Sequence, residues 1–211
     1  MTKLGQVNAL QILHFAVFEI FLTILVCYVL AVAFGHVPIW LPMISDCAVK
    51  SPEKYFFRIG VVFGASLIGI QSFIVYYANK DKQYSFFELL LALIGSVSVG
   101  IVGVVNEEEN PPIHLTFALI FFLCYDLYMV LSLLAYCIKK PSILFSLKTV
   151  CTIVGAIVGI RLIIVYAKSE AVEPVCEWIN AFAIMGFIWS YMLMDDIEII
   201  EVKVEGKRKT Q

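Results

Sequence analysis

The chain has 211 residues, 61% of them hydrophobic and only 15% charged, with a net charge of −2 and a mean hydropathy of +0.92. A water-soluble domain carries about 25% charged residues, so that class is excluded and a polytopic membrane protein is indicated. No nucleic-acid partner is expected of such a chain.

Six apolar runs follow one another, at about 13–34, 57–78, 85–105, 115–138, 143–167 and 175–194. Each is long enough to cross ~30 Å of hydrocarbon, which takes roughly 20 helical residues. Backbone amides in lipid need internal partners, and the runs are far longer than barrel strands, so each is expected to be a helix. The expected fold is therefore all-α: one six-transmembrane-helix bundle spanning residues 1–211. The first run is a poor signal peptide, because its core is too long and no small-x-small cleavage site follows it. The chain shows no separate domain, linker or low-complexity tract, and no internal repeat that would suggest a transporter built from inverted halves.

Basic residues set the orientation. Six crossings put Lys3, Lys80, Lys82, Lys139, Lys140, Lys148, Lys203, Lys207, Arg208 and Lys209 on one side, against Lys50, Lys54, Arg58, Arg161 and Lys168 on the other. Both termini are thus expected in the cytosol, with 195–211 a short basic tail. The segments near 35–56, 106–114 and 168–174 then face the lumen. Asp46, Glu53, Glu107, Glu108, Glu109, Glu170, Glu173 and Glu177 fall on that same side, where a solvated acidic rim is the plain reading.

The first lumenal segment is the longest, and its three prolines mark it as a functional or interacting loop. Within the spans, a charge costs at least about 2.5 kcal/mol and needs a partner. Asp126 and Arg161 lie at similar depth and are expected to pair. Glu19, Glu88 and Lys148 form a second candidate cluster nearer the cytosol, although Lys148 can also snorkel. Structural ion pairs are favoured over a transport path for both groups. Gly95, Gly100, Gly103 and the Gly155-x-x-x-Gly159 pair permit close helix approach, either inside one chain or across a homo-oligomer face.

Cys27, Cys124, Cys137 and Cys151 read as small apolar residues. Cys47 and Cys176 lie near the lumenal side and are the candidate disulfide, with free thiols as the plainer alternative. His36, Asp46, His114 and Glu177 gather at lumenal helix ends, the ingredients of a metal or acid/base site. No H-E-x-x-H spacing and no glycine-framed serine accompany them. No metal, cofactor or catalytic residue is therefore expected, and a lipid or peptide contact is preferred.

Three segments carry a resemblance: "GHVPIWLPMISD…PE" after the first run, "GIVGVVNEEENPPIH" between the third and fourth, and "CEWINAFAIMGFIWSYMLMDDIE" through the sixth. Together they resemble the Frag/DRAM/Sfk group, and specifically its DRAM branch of damage-regulated autophagy modulators. The matching residues are Gly35, His36, Pro42, Ile44, Ser45, Asp46, Pro52 and Glu53, then His114, then Cys176, Glu177 and Trp178. Cys47-Ala48 departs from the Thr-Gly of that branch.

The resemblance implies a lysosomal or autophagic membrane protein without established enzymatic activity. It also implies membrane lipids and proteins of the autophagy or trafficking machinery as partners. Relatives in the wider group include a Golgi factor that remodels GPI-anchor lipid, so a lipid-remodelling factor of the Golgi or endoplasmic reticulum, with enzymatic activity, is the alternative. The closing Lys207-x-Lys209-x-x pattern resembles a coat-protein retrieval signal and favours the early secretory pathway. The remodelling alternative expects His36, Asp46, His114 and Glu177 to converge on one pocket, and the non-catalytic reading tolerates their being scattered. The loop itself is expected to close as a lid over the ends of helices four and six.

Overall fold

A computed structural model describes residues 9–79, 84–137, 147–168 and 173–191. Within them the chain is all-helical. α1 (Ala9–Ala33), α2 (Glu53–Asn79), α3 (Ser85–Val104), α4 (Pro111–Cys137), α5 (Leu147–Ala167) and α6 (Pro174–Ser190) follow in order, and a 3-10 turn at Asp46–Ala48 interrupts the first loop.

Five helices are long and apolar enough to cross a membrane: His14–Ala33, Glu53–Tyr77, Ser85–Val104, Pro111–Ala135 and Leu147–Ala167. α6 counts 17 residues, about 25 Å at 1.5 Å per residue. The chain beyond Tyr191 lies outside the described residues, as does the tail with Lys207 and Lys209.

Among the helices that begin earlier than the apolar runs predict, α2 and α4 do so for a polar reason. α2 opens on Glu53-Lys54, a charged first turn that hydropathy reads as loop, and the acid suits a helix N-terminus. α4 opens on Pro111-Pro112, a residue type tolerated in a first turn where the amide has no helical partner. Asn110 caps that start by accepting the Ile113 amide on its side-chain oxygen at 3.3 Å, and Asn106 does the same for Glu109 at 2.8 Å. The "NEEEN" stretch is thus two asparagine-built turns in series.

Each helix packs on the next, and α6 also reaches α1 and α4, which closes the bundle. One core gathers Ala16, Ile68, Ala92, Tyr125, Tyr128, Met129, Val158, Ile184 and Phe187. A second joins Ile24, Cys27 and Ala31 of α1 and Phe57 and Val61 of α2 to Ile44, Cys47 and Ala48 of the loop. The outward faces carry large apolar side chains such as Phe18, Ile59, Val97 and Ile157, the surface that lipid covers in a membrane protein.

Glycine makes the close approaches. A Cβ at Gly95 would sit 2.6 Å from the Tyr125 ring and one at Gly103 2.8 Å from Val61. Gly155 and Gly159 both face Asp126 of α4, so the G-x-x-x-G pair packs α5 within its own chain.

Candidate functional site

The first loop folds down onto the helix ends, and side chains from α1, α6 and the α3–α4 turn hold its backbone. Gly35 at φ +70 turns the chain away from α1, a conformation that suits a residue without a Cβ. The His36 ring stacks on Phe34 and its Nδ1 meets the carboxylate of Glu53. Glu53 is fully buried, and the Cys27 thiol donates to its main-chain carbonyl at 3.5 Å.

Further along, the Tyr28 hydroxyl donates to the Ile39 carbonyl at 2.5 Å and the Trp178 indole N–H to the Pro42 carbonyl at 2.7 Å. The Ile44 amide donates to the Glu177 carboxylate at 2.7 Å, and the Ser45 amide faces the same group. Asn106 closes the far side by donating to the Val49 carbonyl at 3.3 Å. Arg58 pairs with Glu109 at the exposed edge, and that guanidinium holds the Glu109 carboxyl below its ordinary value.

The loop therefore covers the ends of α1, α2 and α6 and touches the α3–α4 turn. It does not engage the start of α4 through His114. That ring is buried and donates Nδ1–H to the Val105 carbonyl at 2.7 Å, closing the α3–α4 turn on itself.

Three of the four candidate acid/base residues have a partner outside the set, and Asp46 and Glu177 lie within electrostatic reach of each other. His36 is held by Glu53, His114 by Val105 and Glu177 by the loop amides, while Asp46 opens the 3-10 turn with an exposed side chain. Among the described residues, no three His, Cys, Asp or Glu side chains stand close enough to hold a metal ion.

The candidate disulfide is not formed: Cys47 and Cys176 are both free. The Cys47 thiol turns inward to donate to the Met43 carbonyl at 3.4 Å. Burial, reinforced by the nearby Asp46 and Glu177 carboxylates, pushes it up to about 12, so it carries little thiolate at neutral pH.

Within the bundle, the partner of Asp126 differs from expectation. Its carboxylate accepts from the Asn180 amide of α6 at 3.2 Å. Arg161 instead reaches toward the membrane edge, to Glu173 at 3.4 Å. A long guanidinium escapes to the interface more cheaply than it buries, and the short asparagine fills the place left at Asp126.

Glu19 also stands apart from the second cluster. It accepts from Thr23 one turn on at 3.0 Å and packs beside Gly64 of α2. Glu88 and Lys148 come together about Tyr191. The Lys148 ammonium lies 3.9 Å from that ring and 4.7 Å from Phe187, and Glu88 is within electrostatic reach of the Tyr128 and Tyr191 hydroxyls. Tyr191 also bonds Tyr128 at 2.7 Å and Ser132 at 2.9 Å.

Residues 9–196 match the Frag1/DRAM/Sfk1/Cwh43P N-terminal domain. The chain belongs to this family. Among its relatives is DNA damage-regulated autophagy modulator protein 1, 28% identical in mouse and in human, over 85% of this chain and 87% of each relative. Human modulator of macroautophagy TMEM150B is 26% identical over 70% of this chain and 69% of its own. These likenesses place the chain with the DRAM branch of the family. No solved structure matches it.

The family motifs thus occupy three elements that meet at one face. Gly35 to Glu53 form the loop, His114 closes the α3–α4 turn, and Glu177-Trp178 is the hook on which the loop hangs. Asn180, Asn106, Cys27 and Tyr28 complete this architecture without having stood out in the sequence. Only Asn180 and Asn106 left a trace, as amides in otherwise apolar or acidic surroundings.

Proposed function

We propose that this member of the Frag1/DRAM/Sfk1/Cwh43P family is a non-catalytic multipass endomembrane protein that modulates autophagy or lysosomal function through protein or lipid contacts. α6 completes a sixth crossing in this reading, 1–211 is a single domain, both termini are cytosolic, and the loop face is lumenal. The observation that carries it is that His36, His114 and Glu177 are each held by a partner outside the candidate set. His114 and Glu177 are engaged in fixing backbone, and His36 in holding the Glu53 carboxylate. Supporting it are the relatives named as autophagy modulators and the excess of basic residues in the segments assigned to the cytosol.

Deleting the gene in cultured cells and measuring lysosome-dependent turnover of autophagosome cargo tests it. Turnover should change, and re-expression of the chain, or of an H36A/D46A variant, should restore it. Restoration by wild type but not by H36A/D46A, with both chains equally abundant and their loops equally resistant to protease, would overturn the non-catalytic reading. A glycosylation acceptor inserted at Asp46 should be modified and one appended after Gln211 should not. Lysosomal residence is the compartment favoured, and exchange of Lys207 and Lys209 for serine should leave it unchanged. Release from the early secretory pathway would place the chain there instead.

A further inference from the structure

The tip of the first loop is apolar, uncovered and firmly held. Ile39 and Trp40 are 77% and 83% exposed, and Pro38 and Pro42 bracket them. Leu41 is fixed at φ 39, in the left-handed region that a branched side chain rarely enters. The bonds from Tyr28 to the Ile39 carbonyl and from Trp178 to the Pro42 carbonyl anchor the tip on both sides.

Those anchors also give its depth. Tyr28 is five residues short of the Ala33 end of α1, about 7.5 Å below it along the axis, and helix side chains lean toward the N-terminus, deeper still. Trp178 is rooted four residues into α6, about 6 Å below that helix's start. The two rings meet edge to face at 6.0 Å. The chain leaves α1 at Ala33, turns at Gly35 and comes back down, so that Ile39 lies level with the last turns of α1. The span ending at Ala33 is 20 residues long, about the thickness of the hydrocarbon core. A rigid Ile-Trp pair at that level faces the headgroup–acyl boundary, where tryptophan concentrates in membrane proteins. Val29 and Phe34, on and just after the last turns of α1, are exposed too.

We propose that Ile39 and Trp40 form a re-entrant wedge inserted into the lipid leaflet on the loop face, with bilayer lipid as its partner. The chain holds three tryptophans, so the emission lost in W40F reports Trp40 alone. The full-length protein and W40F are reconstituted in phosphatidylcholine bilayers, with bromine carried near the headgroup end or near the tail end of the acyl chains. The Trp40 component should emit to the blue of tryptophan in water, resist aqueous iodide, and lose most of its intensity to the shallow bromines and less to the deep ones.

Emission at the wavelength of water-exposed tryptophan with strong iodide quenching would overturn the proposal. So would insensitivity to both quenchers, which would mean that protein covers the tip. A nitroxide at W40C gives an independent reading, being more accessible to oxygen than to a water-soluble nickel complex when in lipid, with the reverse order contradicting insertion.

Discussion

At the loop face, beside the His36–Glu53 and Arg58–Glu109 pairs, most side chains reach for backbone: Glu177 takes an amide, Trp178, Tyr28 and Asn106 each give a hydrogen to a carbonyl, and His114 does the same within its own turn. Deeper in the bundle, side chains reach for one another. Asn180 meets Asp126, and Tyr128 and Ser132 meet Tyr191 beneath Lys148. The first kind of contact fixes the path of a segment that has no regular structure of its own. The second kind fixes which helices cross and in what rotation, because a buried polar group without its partner costs more than the bond gains. Shape at the face and register in the bundle are therefore separable properties.

Four tests by substitution probe that separation, beginning with the largest expected effect. Gly155→Leu puts a side chain where Asp126 Oδ1 would lie 2.9 Å from the first carbon. Overpacking there should cost about 3 kcal/mol, read as a lower melting temperature of the detergent-purified protein. Unchanged melting would mean that α4 and α5 do not cross there.

Asp126→Ala leaves the Asn180 amide unpaired and should cost about 1–3 kcal/mol. Asp126→Asn, which keeps an acceptor, should cost less. Combining Asp126→Ala with Asn180→Ala should fall short of the sum of the two, and strict additivity would contradict the contact.

Glu177→Ala removes the acceptor of the Ile44 amide, a bond of about 0.5–1.5 kcal/mol, but from the loop alone. Protease cutting between Gly35 and Pro52 should accelerate while α4, α5 and α6 keep their mutual packing. A loop that stays resistant would mean that Glu177 is not its hook.

The smallest effect belongs to Glu109. Its carboxyl is held low by Arg58, so the pair contributes above the ordinary carboxylate range and is lost as pH falls through the lowered value. Exposure keeps the contribution small. Arg58→Gln should lower melting slightly at neutral pH, remove this part of the acid dependence, and converge with the wild type once Glu109 is protonated.

Much of this architecture was legible from residue order alone. Apolar runs located the helices because lipid demands them, Glu177 stood out as an acid at a helix end, and Trp178 entered through the family motif. What escaped was of two kinds. Helix starts such as Glu53-Lys54 and Pro111-Pro112 are polar or proline-bearing first turns, which hydropathy assigns to loops. The partners at the face are main-chain atoms of Ile39, Pro42, Ile44 and Val49, and a carbonyl has no signature in the sequence. The pairing of Asp126 with Arg161 failed differently: opposite charge and similar depth pointed to a bond, but the reach of arginine let it leave for Glu173, and an uncharged amide took its place.

The inward turn of Gly155 and Gly159 has a consequence for encounters between molecules. With both glycines against Asp126, the outer face of α5 is a ridge of branched side chains, Ile153, Ile157, Ile160 and Ile164, all exposed. A helix from another molecule arriving there meets bulk instead of a groove. It must stop at the ordinary ~8–10 Å between helix axes, without the closer seating that paired glycines allow.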